Sequence, residues 1–398
     1  MSVRRLAVLG ATGSVGEAAL AVARRHPDRL GVSLLAAGGT RPARLLELAR
    51  EFRPRRIVVA TAEAAEAIRG ELPAGTDLRC GEPALVDAVG AGGIDLVLTA
   101  IVGAAGLRPA AAALAAGADL ALANKEAMVA AGPLLRRLAA DSDAKILPVD
   151  SEHAAIHQAL RAGRRREVRR LVLTASGGPF LDRDPATLDT VTPTEATAHP
   201  TWNMGAKISV DSATLMNKGL ELIEASYLFD VPGSRIDILI HPQSLVHSIV
   251  EFRDGNSIAQ ISANDMEYPI RYALSHPERW PRFNDGAASG LSELLESTSE
   301  LQFRKVDPEA FPAPSLAREA LVRGNGAPAA LNAANETAVA AFLGGAAPFT
   351  AIVPAVAEVL DRHGREAGGA EPATIDEALE WDSWGRRHAR EVLAQLRG

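Results

Sequence analysis

One cysteine, Cys80, stands in a chain of 398 residues. That excludes an intramolecular disulfide and any multi-cysteine zinc site, and it fits a reducing cytoplasm. Its neighbours, Asp77-Leu78-Arg79-Cys80-Gly81, supply no base to activate a thiol, so it reads as structural or incidental. No apolar run nears the roughly 20 residues that a membrane-spanning helix needs. Met1 to Gly10 lacks the long apolar core and cleavage site of a signal peptide. A cytoplasmic protein is therefore expected. A positive balance is also lacking: the formal net charge of -7 argues against nucleic-acid and membrane-surface partners. The local run Arg164, Arg165, Arg166 with Arg169 and Arg170 reads as a solvated face.

What is present is ordinary for a globular protein, 47% hydrophobic and 23% charged. The length exceeds what one core holds, so two or three domains are expected. Strand-like runs at 4–9, 32–37, 57–60, 95–99, 119–123 and 145–149 alternate with helical stretches at 15–26, 42–52, 61–70 and 107–117. That alternation predicts an α/β fold, a parallel sheet covered on both faces. After Asp150 the pattern becomes α+β, with strands at 171–174, 236–240, 248–252 and 257–261 and a helix near 215–228. Asp254-Gly255-Asn256 offers a hairpin turn. Residues 276–312 read as a linker. Helical segments near 314–323, 328–343, 350–363 and 374–396 predict a C-terminal helical bundle. The expected domains are 1–149 (Rossmann-like and dinucleotide-binding), 150–275 (α+β, catalytic) and 313–398 (helical).

Gly10-Ala11-Thr12-Gly13-Ser14-Val15-Gly16 lies between the first strand and the first helix. Glycines there permit a tight turn and let backbone amides approach a pyrophosphate at the helix N-terminus. Thr12, Gly13, Ser14 and Val15 are thus cofactor-binding candidates, with Gly38 at the end of the second strand. An NAD-binding chain places an acid near that second strand end; here the stretch is Ala36-Ala37-Gly38-Gly39-Thr40-Arg41. A guanidinium grips a 2′-phosphate where a carboxylate would repel it, so Arg41 points to NADPH.

Leu147-Pro148-Val149-Asp150-Ser151-Glu152-His153 carries two carboxylates. In extended chain, alternate residues share a face, so Asp150 and Glu152 would stand side by side at a strand end. A divalent ion relieves their repulsion, and all-oxygen donors suit Mg²⁺ or Mn²⁺. In Lys207 to Glu224, a helix beginning near Ser212 sets Asn217 and Glu221 on one face with Lys218 beside them. A cation, an amide and a hydroxyl near a helix start suit a phosphate, and Glu221 can supply a third carboxylate. Thr174-Ala175-Ser176-Gly177-Gly178 is a further Ser/Gly loop at a strand end, suited to an anion or to a plain turn. His153, His241 and His247 read as structural hydrogen-bonders.

Taken in order, these segments resemble the 1-deoxy-D-xylulose 5-phosphate reductoisomerase family over essentially the whole chain. Ala100 to Gly106, Leu122-Ala123-Asn124-Lys125-Glu126, His199-Pro200-Thr201-Trp202-Asn203-Met204-Gly205, Ile240 to Ser244 and Leu331 to Glu336 complete the match. The resemblance implies rearrangement and reduction of 1-deoxy-D-xylulose 5-phosphate to 2-C-methyl-D-erythritol 4-phosphate, in the non-mevalonate route to isoprenoids. NADPH and a divalent cation (Mg²⁺, Mn²⁺ or Co²⁺) are the implied cofactors, and a homodimer the implied assembly. It implies Asp150, Glu152 and Glu221 as metal ligands. Ser176, His199, Ser212, Asn217 and Lys218 would hold the substrate, largely its phosphate, while Ser151 and Lys125 contact its hydroxyls. Asn124, Glu126 and Gly205 join the cofactor set, and Trp202 and Met204 lie on a lid. One position departs: the family often has Lys-Asn after the second strand's glycine, where this chain has Gly39 and Thr40. Arg41 is the substitute candidate.

Two other classes fit parts of the pattern. A semialdehyde or homoserine dehydrogenase type would need no metal, and the phosphorylating kind requires a nucleophilic Cys that Cys80 does not provide. A non-catalytic NADPH-sensing protein would lack the three carboxylates that this chain retains.

Overall fold

The computed structural model describes residues 3–202, 204–281, 296, 298, 300–366 and 371–396. Asn203 and part of the expected linker (282–295, 297 and 299) lie outside the described residues. The chain forms two compact units. The first takes Met1–Ala127, Pro133–Ala154 and the segment opening at Asp265; the second takes Met128–Gly132, Ala155–Asn264 and the C-terminal portion.

The first unit is built on seven parallel strands: β1 (Arg4–Leu9), β2 (Leu30–Ala37), β3 (Arg56–Val59), β4 (Asp77–Cys80), β5 (Leu96–Thr99), β6 (Asp119–Leu122) and β7 (Ile146–Pro148), in the spatial order β4-β3-β2-β1-β5-β6-β7. Leu6 to Leu9 and Leu96 to Leu98 are wholly buried, as strands covered on both faces must be. The order reverses between β1 and β5. This opens a crevice beyond their carboxyl ends, the place where such sheets bind ligands.

Two features here differ from the sequence-based expectation. β4 is an edge strand whose four residues alternate polar and apolar, and it is followed by a helix at Glu82–Gly90. Cys80 ends that strand and is exposed. The helix Glu267–Ser275, assigned from sequence to the 150–275 domain, instead buries Ile270, Ala273 and Leu274 in the core of the first unit, with Leu6, Val8 and Ala23.

The second unit holds a mixed sheet of β8 (Val168–Ala175), β9 (Ile236–Ile240), β10 (Val246–Phe252), β11 (Ser257–Ile261) and β12 (Arg304–Lys305), ordered β11-β10-β8-β9-β12. β10 and β11 form the hairpin expected across Asp254-Gly255-Asn256. The helix Met216–Phe229 and four C-terminal helices, Ala313–Arg323, Ala327–Leu343, Ile352–Glu366 and Ile375–Gln395, follow the expected helical segments closely. Ala327–Leu343 is buried on nearly every side, and its Leu331, Ala334, Ala338 and Phe342 share a core with Val210, Met216 and Leu220. Truncating Phe342 to Ala would cost about 3–5 kcal/mol. Among the described residues no helix is long and apolar enough to cross a membrane.

Candidate active site

The glycine loop is shaped by close approach. Gly10 turns with φ +92°, and a Cβ there would collide with the Ala100 carbonyl at the end of β5; a Cβ on Gly16 would strike the Gly10 carbonyl. Gly10 and Ala11 donate their N–H groups to the Ala36 carbonyl at 2.9 and 2.8 Å, and Gly13 donates back to Gly10. The helix Ser14–Arg25 then starts at Gly13 without any side-chain cap, which leaves its first N–H groups and positive dipole end for an anion. Thr12 is buried, while Gly13 and Ser14 are exposed. The Arg41 guanidinium donates to the Thr12 carbonyl and so lies against the loop. Arg44 is engaged elsewhere, in 2.6 Å ion pairs with Glu17 and Glu47.

Gly38 has open space around it. Asn124 braces the local backbone. Its Oδ1 accepts from the Ala127 N–H at 3.0 Å, capping the helix, and its Nδ2 donates to the carbonyls of Gly103 and Ile101. Lys125 and Glu126 follow on the first turn, both buried.

Asp150 and Glu152 do not lie on extended chain. β7 stops at Pro148, and a helix begins at Ser151, with Ala154 N–H donating to the Asp150 carbonyl at 2.8 Å. Glu152 thus belongs to a first helical turn and Asp150 directly precedes it. The Lys125 ammonium lies 2.5 Å from Asp150 Oδ2, and both side chains are mostly buried. Ser151 Oγ donates to Glu152 Oε2 at 2.5 Å. His153 is fully buried, its Nδ1 3.9 Å from Asp150 Oδ2.

In the second unit, β8 delivers Ser176 into a loop where Gly177 and Gly178 both have positive φ. Ser176 Oγ lies 2.9 Å from His199 Nε2, and Ser212 Oγ lies 3.2 Å from the same nitrogen. His199 Nδ1 accepts the N–H groups of Thr201 and Trp202 at 3.2 and 3.0 Å. A neutral ring must then carry its proton on Nε2, between the two hydroxyls. Burial, and next the Lys218 ammonium, hold His199 below the ordinary histidine range, which favours that neutral form. A single N–H and two hydroxyls converging on one point suit an anionic oxygen.

The expected helix from Ser212 is two helices, Ala206–Ala213 and Met216–Phe229, broken where Leu215 takes φ +56°. Gly205 caps the first of them. The pairing of Asn217 with Glu221 holds: Asn217 Nδ2 donates to Glu221 Oε1 at 2.6 Å, and Lys218 Nζ donates to Oε2 at 2.6 Å. Glu221 has no solvent exposure and Lys218 almost none.

His241 is structural: its Nε2 accepts the N–H groups of Leu245 and Val246, each at 3.1 Å, and its Nδ1–H donates to the Gln302 carbonyl. His247 Nε2 donates to the Ser262 carbonyl at 3.1 Å. Sequence pattern gave no part to Lys207, Asp211 and Asn335, which cluster beside Ser212 with Asp211 and Asn335 buried and Lys207 half-buried.

Family models match three stretches: 1-deoxy-D-xylulose 5-phosphate reductoisomerase at residues 6–132, its C-terminal domain at 146–229, and a second DXP reductoisomerase C-terminal domain at 261–388. A reductoisomerase of that name from Anaeromyxobacter sp. (strain K) is 50% identical over 387 residues, 97% of this chain and 96% of its own. The chain belongs to the 1-deoxy-D-xylulose 5-phosphate reductoisomerase family. A family member from Geobacter metallireducens is 45% identical over 399 residues, covering 98% of this chain and 99% of its own. Among solved reductoisomerases, one from Zymomonas mobilis in complex with NADPH has a TM-score of 0.88 at 39% identity, covering 98% of this chain and 99% of that one. Another, in complex with NADPH, fosmidomycin and magnesium, has a TM-score of 0.91 at 39% identity, covering 99% of each chain.

Proposed function

We propose that this chain converts 1-deoxy-D-xylulose 5-phosphate to 2-C-methyl-D-erythritol 4-phosphate, an NADPH- and divalent-metal-dependent rearrangement and reduction in the non-mevalonate route to isoprenoid precursors. The observation that carries the reading is the full-length likeness to a reductoisomerase solved with NADPH, fosmidomycin and magnesium.

The residues present fit both cofactors. A Cβ on Gly10 or Gly16 would strike backbone, so the glycines keep the Gly10–Gly16 turn tight, and the helix behind it has no side-chain cap. Asp150, Glu152 and Glu221 offer only carboxylate oxygens, a donor set for a hard divalent cation, and we assign the metal to these three. When bound, NADPH supplies a hydride and Mg²⁺, Mn²⁺ or Co²⁺ supplies a Lewis acid for the substrate's oxygens.

The chain's own groups do the rest. Thr12, Gly13, Ser14 and Val15 seat the pyrophosphate, with Gly38, Asn124, Glu126 and Gly205 completing the cofactor set and Arg41 meeting the 2′-phosphate. Ser176, Ser212, Asn217 and Lys218 hold the substrate phosphate, and His199 donates its Nε2 proton to it. Binding energy from this remote group orients the reacting end. Ser151 and Lys125 contact the substrate hydroxyls. As the carbon skeleton rearranges and the resulting aldehyde is reduced, negative charge grows on oxygen, and the Lys125 ammonium offsets it. Trp202 and Met204 close over the substrate and exclude water. A cytoplasmic homodimer is the assembly we assign on the family resemblance, and sedimentation velocity checks it.

The test mixes purified protein, 1-deoxy-D-xylulose 5-phosphate, NADPH and Mn²⁺. NADPH absorbance falls and 2-C-methyl-D-erythritol 4-phosphate accumulates by mass spectrometry, and EDTA stops both. Turnover that survives EDTA, or no turnover with this substrate, overturns the reading.

A further inference from the structure

We infer that Asp211, gripped by Lys207 and Asn335, is a positioning residue that sets the phosphate cradle through Ser212; this rests on the reading that Ser176, His199 and Ser212 hold the substrate phosphate. Asp211 is 1% exposed. A carboxylate removed from water to that degree needs both a countercharge and hydrogen-bond donors. One oxygen, Oδ2, lies 2.9 Å from the Lys207 ammonium, one turn earlier on the helix Ala206–Ala213. The other, Oδ1, accepts from Asn335 Nδ2 at 2.7 Å, a side chain with no exposure in the helix Ala327–Leu343. The short helix carrying Ser212 is thereby pinned to the C-terminal bundle at the adjacent residue.

The opposite side of Ser212 is fixed as well. Gly178, in the Ser176 loop, sits so close that a Cβ there would lie 2.6 Å from the Ser212 carbonyl oxygen. The Ser212 backbone is therefore held between the Ser176 loop and the Asp211 anchor, and its hydroxyl meets His199 at 3.2 Å as a result. Displacements well under 1 Å matter for such contacts. Charge gives a second reason for the pairing. Asp211 is the neighbour of a residue that binds a phosphate, and an uncompensated carboxylate there would repel the substrate. Lys207 cancels it.

Charge balance makes the inference testable by rescue. Lys207→Met leaves a buried negative charge beside the cradle; the double variant K207M/D211N removes that charge in a side chain of the same shape. For K207M, the KM for the sugar phosphate and the inhibition constant for inorganic phosphate rise about tenfold or more, while kcat and the KM for NADPH stay within about twofold. Adding D211N brings both phosphate-dependent constants back most of the way. Ala338→Gly, in the core of the same bundle, lowers the melting temperature without moving either constant, so instability alone does not reproduce the pattern. If K207M yields no folded protein, N335A, which loosens the other oxygen of Asp211, is measured for the same phosphate-selective loss. Folded K207M or N335A with unchanged phosphate constants, or a K207M defect that D211N fails to relieve, overturns the inference. Ser212→Ala separates the underlying reading: if it leaves inhibition by inorganic phosphate unchanged, the cradle itself is wrongly assigned and both fall.

Discussion

Lys125 Nζ and Asp150 Oδ2 are 2.5 Å apart, in a pair that is 9% and 14% exposed. The ammonium caps a carboxylate that we assign to a divalent cation, so the two positive charges compete for Asp150. Lys125→Met removes the competitor and the charge that stabilises growing oxyanion character. Mn²⁺ binding is expected to tighten several-fold while kcat falls at least about a hundredfold. Calorimetric Mn²⁺ titration beside steady-state kinetics checks the opposite directions. A fall in both quantities together would contradict this account of Lys125.

Arg41 donates to the Thr12 carbonyl of the loop and directly precedes the helix Pro42–Phe52, a few residues beyond the end of β2. Arg41→Glu would repel a 2′-phosphate and accept from a ribose hydroxyl instead. The ratio of NADPH to NADH affinity is expected to drop at least about tenfold, read from cofactor fluorescence titrations. An unchanged ratio would refute Arg41 as the selectivity residue.

His241 gives a pH dependence with a definite sign. Burial, its largest influence, holds it below the ordinary histidine value, against the weaker pull of its bond to Gln302. Its Nε2 faces two backbone N–H donors, so a second ring proton has no acceptor. The unfolded chain then takes up the proton first, and stability is lost as pH falls below about 6.5 towards the lowered folded value. His26, His199 and His363 are shifted in the same direction, each mainly by burial. Urea midpoints at pH 7.5 and 5.5 are expected to fall more steeply for the parent protein than for His241→Gln. Parallel slopes would show that His241 is not part of the acid response.

The sequence was informative where chemistry and period coincide. Leu6 to Leu9 followed by glycines could only be a buried strand entering a tight loop, and Ala327–Leu343 reads as a helix from its alanine-rich, helix-favouring length. The alternating polar residues of β4, Asp77 and Arg79, concealed a strand because an edge position tolerates them. An extended reading of Asp150 and Glu152 carries the β7 strand one step too far: Asp and Ser are N-cap types and Glu152 is an acid in the first turn, a helix-start signal masked by the strand before it. The break at Leu215 was hidden too, because a leucine at positive φ runs against its own preference. Lys207 and Asp211 pair locally at i,i+4, but Asn335 joins them from 124 positions away, a proximity that no local pattern encodes.

The assignment of Asp150, Glu152 and Glu221 to one ion is tested most directly by counting Mn²⁺ by electron paramagnetic resonance in the parent protein and in D150N, E152Q and E221Q. The parent is expected to bind about one activating Mn²⁺ per chain. Each variant should lose that ion and its turnover while keeping NADPH affinity, Glu221 no less than the other two. An E221Q protein that holds Mn²⁺ and turns over like the parent would contradict the three-carboxylate site.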